Sequence, residues 1–248
     1  MEKTPSYLAV ESLMDLCRKA GIAKGCEFME SESYCFYRNF SKLSWYSRVN
    51  INSMPQKNER MLAHIKELCT EENSPKYLSL AKEDMYEGFE TDLDRMDFVF
   101  VKPQKGMLYD LKTAPVYDED DNIVEVTEEN LADWIDTCEK GFNKSGTSED
   151  FNLFFKDKNC HFYGYVKDGR IVSTALLNVC GRNGGIHEVT TLEEYRGRGF
   201  APALVKHIIN EAKKYGCDML SLQASVYGEP VYKKLGFNIV SSIMNYRI

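Results

Sequence analysis

Residues 193–207 read EEYRGRGFAPALVKH. Gly197 and Gly199 make this stretch a poor helix interior and a good tight turn. Beyond it, apolar residues fall at 201, 204, 205, 208, 209 and 212, one stripe of an amphipathic helix. Lys206, His207, Asn210, Glu211, Lys213 and Lys214 take the other face, and Gly216 closes the pattern. The turn therefore opens a helix, whose N-terminus leaves about four N–H groups unpaired and carries roughly half a positive charge. Glycines let a ligand approach the backbone without meeting a Cβ, and Pro202 suits a first helical turn. Arg196 and Arg198 add full charges. Together they read as a cradle for a phosphate-bearing ligand. The stretch is not a dinucleotide fingerprint, because it lacks the third glycine and Glu211 comes too early for a ribose contact. It also lacks the Gly-Lys-Ser/Thr run of a P-loop.

Around the cradle, VTEENLADWIDTCEKGF (126–142) starts with a Thr127 N-cap and places apolar residues at 131, 134, 135 and 138, which is helical spacing. HFYGYV, IVSTALLNVC and IHEVTT read as three strands, separated by the turns KDGR and GRNGG, hence an antiparallel meander. After the helix, MLSLQAS alternates as a strand, EPVYKKLGF gives a short helix ending at Gly236, and NIVSSIMNYRI is a last strand. Strand–helix–strand after a meander implies one parallel crossover inside a mixed, mostly antiparallel sheet flanked by helices, an α/β fold of α+β type.

Upstream, 5–21 reads as a helix, SYCFYRNF and WYSRVNI as strands, and QKNERMLAHIKELCTEE (56–72) as an amphipathic helix. KYLSLA, EDMYEGFE and RMDFVFVKP follow as strand, short helix and strand. This order repeats the end of the second region, with Tyr86, Gly88 and Phe89 set against Tyr232, Gly236 and Phe237, a faint internal duplication. The turn before the first region's helix, INSMPQKN (51–58), has no glycine, so only the second region keeps a cradle. The aromatic run 33–48 reads as core of the first region. Pro115 and the acidic run 118–121 mark a linker near 112–122, dividing the chain into a smaller N-terminal α/β domain (1–115) and a second domain (116–248).

Of 248 residues 43% are hydrophobic and 28% charged, as in ordinary globular chains. The net charge of −7 argues against nucleic acid as a partner. No run approaches the ~20 apolar residues of a membrane span, and the acid-bearing N-terminus is no secretory signal. The chain thus reads as cytoplasmic, with no membrane partner. Eight cysteines without a CxxC and four histidines without ligand spacing lead us to expect reduced thiols and no metal.

The second region resembles the GNAT superfamily of N-acetyltransferases over about residues 123–248. That family's acetyl-CoA loop runs Arg or Gln, two residues, Gly, one residue, Gly or Ala, here Arg196, Gly199 and Ala201. TTLEEYRGRGFAPALV and EPVYKKLGF both fit the family pattern, and the N-terminal region would be a degenerate GNAT-like half. The resemblance implies that the pantetheine arm of acetyl-CoA lies along Val189, Thr190, Thr191 and Leu192. The pyrophosphate would meet the backbone of Arg196, Gly197, Arg198, Gly199, Phe200 and Ala201. It further implies direct attack of an amine on the thioester, with Glu188 as the base (His187 second) and Tyr232 as the acid that protonates the leaving thiolate. Ser225 stands where the family commonly places an asparagine against the pantetheine arm, and Gly228 where alanine is common. The expected acceptor is a small-molecule amine, and a homodimer is compatible with this reading. Competing readings are a protein lysine or N-terminal acetyltransferase, a non-catalytic acetyl-CoA sensor, and transfer of aminoacyl groups from tRNA. The cradle and the negative charge count against the last.

Overall fold

The computed structural model describes residues 3–21, 26–31, 34–39, 48–51, 53–70, 77–144 and 148–247. In chain order its elements are α1 (Pro5–Gly21), β1 (Cys26–Glu30), β2 (Tyr34–Asn39), β3 (Arg48–Ile51), α2 (Glu59–Thr70), β4 (Tyr77–Ala81), α3 (Phe89–Arg95) and β5 (Val99–Asp110). There follow β6 (Ile123–Glu125), α4 (Leu131–Phe142), α5 (Ser148–Phe155), β7 (Cys160–Lys167), β8 (Arg170–Cys180) and β9 (Asn183–Thr191). The chain ends with α6 (Phe200–Lys214), β10 (Met219–Ala224), α7 (Glu229–Lys234) and β11 (Asn238–Arg247). Short 3₁₀ turns cover Lys82–Asp84 and Glu193–Tyr195.

Two compact units result, and neither is one continuous stretch: Met1–Met107 with Gln223–Val226 and Ile239–Ile248, and Leu108–Leu222 with Tyr227–Asn238. The sequence reading cut the chain once, at 115; in the structure the second unit begins at Leu108, and most of the last strand belongs to the first unit.

In the first unit β1, β2 and β3 form an antiparallel meander, β3 runs parallel to β4, and β11 pairs antiparallel with β4 from Ile243↔Ala81 to Arg247↔Tyr77. The amphipathic pattern of α2 buries Leu62, Ile65, Leu68 and Cys69 in a cluster with Val49, Ile51, Leu78, Leu80, Phe89, Leu93, Phe98 and Tyr246. Of the aromatic run 33–48, Tyr34, Phe36 and Tyr37 are core; residues 40–47 lie outside the described ones.

In the second unit β6, β7, β8 and β9 form the expected meander, and β9 then runs parallel to β10. Asp168 and Gly169 both have positive φ (53° and 77°), the twist that a two-residue hairpin between Lys167 and Arg170 demands. GRNGG, read as a turn, turns only at Gly181 and Arg182, and β9 begins at Asn183. Gly184 is a strand residue because its backbone is pressed by neighbours: a Cβ there would sit 2.8 Å from Leu220 and 3.0 Å from Leu177.

Helix α4 buries Leu131, Trp134, Ile135 and Cys138, the spacing expected of it. The indole N–H of Trp134 donates to the carbonyl of Tyr163 at 2.9 Å. Helix α5 was not anticipated, and it adds Phe151 and Phe154 to this core. Helix α6 buries Leu204, Val205, Ile208, Ile209 and Ala212. The segment read as a linker is strapped to the polar face of α6: Asn210 exchanges two hydrogen bonds with the Tyr117 backbone, and Lys213 donates to the carbonyls of Ala114 and Pro115.

Gly236 follows α7 with φ +100°, and a Cβ there would lie 2.8 Å from the Tyr109 ring, which stacks on Phe237. Gly236→Ala should therefore cost about 1–3 kcal/mol from the backbone alone, read as a lower urea midpoint at unchanged slope.

Candidate active site

The site is built where β9 parts from β10. The parallel ladder holds Met219↔Asn183, Leu220↔Gly184 and Ser221↔Gly185, and then stops, while β9 continues along β8 to Thr191. From Ile186 to Thr191 one edge of β9 is without a β10 partner. Leu192 donates its N–H to the carbonyl of Val172 on β8, so by strand alternation the backbone groups of Thr191 and Val189 face the open edge. The four residues read together as a pantetheine track thus divide. Leu192 is committed twice, since its carbonyl also accepts from Tyr195 N, and Thr190 faces β8.

At the end of β9 lies the glycine turn. Gly197 (φ 74°) and Gly199 (φ 87°) take the left-handed conformation, and a Cβ at either would meet nothing within 4 Å. Their glycine identity is demanded by φ rather than by crowding. Gly199 caps α6 with no side-chain bond, and Ala203 N donates back to its carbonyl. Among the described residues, the amides of Gly197, Arg198, Gly199, Phe200 and Ala201 find no backbone acceptor. The arginine side chains reach backbone carbonyls. Arg196 donates from Nε to the carbonyl of Thr191 (3.1 Å) and from Nη2 to that of Gly141 (3.0 Å), tying the end of α4 to the turn. Arg198 donates to the carbonyl of Glu194 at 2.8 Å and lies over the Tyr195 ring.

Glu188 sits in a β-bulge. Thr174 pairs with Thr190 but Leu176 with His187, so Glu188 and Val189 together face one residue of β8. Glu188 takes φ 53°, and its carbonyl accepts from Thr174 Oγ1 at 2.8 Å. An L residue held there stores strain, and the bulge re-aims its side chain inward. The carboxylate is buried, not an outward strand charge. It accepts from Lys144 Nζ at 2.8 Å and from the Cys138 thiol at 3.4 Å.

Lys144 had no place in the sequence reading. It follows α4, where Asn143 caps the helix in the left-handed conformation (φ 51°) and turns the chain back. The Lys144 ammonium lies 4.7 Å from the Phe142 ring centre and 5.4 Å from that of Phe151. Burial, the largest single influence, lowers its pKa, but the charge of Glu188, that of Cys138 and the hydrogen bond to Glu188 together outweigh it and hold the ammonium above its ordinary value. Burial, reinforced by the same carboxylate, pushes the Cys138 thiol well up.

His187 is buried beside the bulge. Tyr232, on α7, is buried edge-on to Phe237, and burial raises its phenol far above the ordinary value, so it stays protonated and able to donate. Ser225 is exposed and falls in the Gln223–Val226 segment of the first unit. Among the described residues no group of His, Cys, Asp and Glu is placed to hold a metal, and no helix is long and apolar enough to cross a membrane.

Residues 127–237 match the acetyltransferase (GNAT) family. The chain is also similar in structure to a GCN5-related N-acetyltransferase from Kribbella flavida (TM-score 0.71, 12% identity, 96% of this chain and 95% of that one). A second likeness is to a GCN5-related N-acetyltransferase from Sphaerobacter thermophilus (0.62, 14%, 99% and 93%). A third is to a GNAT-family acetyltransferase structure from Novosphingobium aromaticivorans (0.59, 16%, 98% and 95%). At these identities the likeness is one of fold. No curated protein matches the chain in sequence. Residues 127–237 are thus a GNAT acetyltransferase domain, and acyl transfer is the chemistry that goes with it.

Because the folded-state pKa of Lys144 is raised, its ion pair contributes stability fully below the unfolded value and loses it as pH rises through the folded one. Lys144→Met should cost about 3 kcal/mol near neutrality, the cost of breaking a buried pair. Denaturant titrations at about pH 8 and about pH 11 should show the gap from wild type shrinking on the alkaline side.

Proposed function

We propose that this GNAT domain transfers an acetyl group from acetyl-CoA to the amine of a small molecule, by direct attack and without a covalent enzyme intermediate. The observation that carries the reading is the open edge of β9 followed by a glycine turn whose amides, among the described residues, find no backbone acceptor. An amide-bearing pantetheine arm would add to that edge as a short strand, using Val189 and the N–H of Thr191, whose carbonyl already accepts from Arg196. A pyrophosphate would take the amides from Gly197 to Ala201, helped by the dipole of the 15-residue α6.

Three tasks then fall to named groups. An alkylamine of pKa about 10 arrives protonated and must lose a proton. Glu188 is the base in this reading, with His187 beside it. Its carboxylate holds the Lys144 ammonium, and a cationic acceptor would compete with that ammonium for it. The thioester oxygen gains negative charge during attack, and a backbone amide of the open edge, at Val189, would stabilise it. Tyr232 would give its proton to the departing sulfur, which its burial keeps available.

Calorimetric titration with acetyl-CoA should give micromolar binding to the wild type. Gly199→Glu, which sets a carboxylate among the acceptor-free amides, should weaken it at least about a hundredfold, or about 2.7 kcal/mol. Circular dichroism of the variant checks that α6 survives. Tyr232→Phe should bind acetyl-CoA as the wild type does yet release thiol about a hundredfold more slowly with an amine acceptor. Unchanged turnover in that variant would favour a domain that binds acetyl-CoA without using it.

A further inference from the structure

The environment of Lys144 Nζ is that of an amine acceptor already in place. A primary ammonium is held 2.8 Å from a buried carboxylate and against two phenyl faces. The carboxylate belongs to the residue read as the base, and it stands on the stretch of β9 that has no β10 partner. The nitrogen that Glu188 grips is therefore the protein's own. A fifth of the Lys144 side chain remains exposed while Glu188 is almost wholly enclosed.

From this juxtaposition we infer that Lys144 is a self-acetylation site, modified in cis by the acetyl-CoA bound to the same molecule. The inference rests on the acetyl-transfer reading above. The step balances simply. Glu188 takes one proton from the ammonium, and the freed lone pair attacks the thioester carbon. A nitrogen–carbon bond forms as the carbon–sulfur bond breaks. Of the three ammonium protons, one stays on the amide nitrogen, one leaves through Glu188 to solvent, and one ends on the sulfur of CoA. The product is uncharged, so the ion pair is abolished and the carboxylate is left to face an external amine. Acetylation would thus convert the site from one that holds its own lysine to one that can hold a substrate.

The test uses the full-length protein, first stripped of CoA and then incubated with acetyl-CoA, followed by intact mass and peptide mapping. The expected result is one acetyl group per chain at Lys144, gained at a rate independent of protein concentration. That rate should exceed modification of the exposed Lys140 by about a hundredfold or more. Glu188→Gln should slow it by a similar factor, and Lys144→Arg, which keeps the charge and the fold, should remove the modified peptide. Acetylation confined to exposed lysines, or a rate that rises with protein concentration, overturns the inference. Acetyl-CoA binding by calorimetry without modification at Lys144 overturns it alone and leaves the acetyl-transfer reading standing. Absence of binding overturns both.

Discussion

The site depends on one constraint: β9 must satisfy β8 along its whole length but β10 only at its start. A strand that parts from its neighbour leaves polar backbone groups without partners, and these need an acceptor or donor from somewhere. Here the parting begins just beyond Gly185, within the run where Gly184 draws Leu220 and Leu177 against the backbone. The glycines thus pin the closed end of the ladder, and the bulge at Glu188 loosens the rest. The chain then leaves β9 through a turn that only left-handed glycines can make. Open edge and amide-rich helix start are consequences of the same departure.

The bulge also explains the electrostatics. Without its extra residue, the alternation of β9 would carry Glu188 to the other face of the sheet. With it, the carboxylate turns in toward α4 and must be paired, since a lone buried charge is costly. Lys144 answers that need only because Asn143 reverses the chain at the end of α4. Arg196 holds the same helix end by donating to Gly141, whose missing Cβ lets α4 approach Thr190. Thus an arginine that sequence reading gave to a phosphate does its observed bonding for the helix that supplies Lys144.

Legibility in the sequence followed the range of the interaction. Helix α6, its apolar stripe and the glycine turn are set by neighbours a few residues apart, and their pattern names them directly. The meander was readable for the same reason, except that a glycine needed for packing, Gly184, looks in sequence like a glycine needed for turning. What could not be read is what distance decides. The Lys144–Glu188 contact joins residues 44 apart through an αL cap and a bulge, and neither leaves a periodic signature. The last strand reads as a strand from its alternation, but nothing local tells it to pair with β4, more than 150 residues earlier. Likewise Arg196 and Arg198 declare their charge in the sequence but not their partners.

The first unit shows how little separates a cradle from an ordinary turn. It has the same order of meander, crossover helix, parallel strand, short helix and strand. The pairing suggested from sequence, Tyr86–Gly88–Phe89 against Tyr232–Gly236–Phe237, is displaced. Asp97 (φ 64°) and buried Phe98 occupy the places of Gly236 and Phe237, because Phe98 N bonds to Leu93 as Phe237 N bonds to Tyr232. Leucine therefore stands where the second unit has its phenol. Beyond β3 and β4 the gap is bridged, with Met54 N donating to Asp84 and Tyr86 N to Met54. The start of α2 is capped from within, Asn58 Oδ1 accepting from Met61 N at 3.1 Å. What distinguishes the second unit is the left-handed glycine turn at the start of α6, not the order of elements, which the two units have in common.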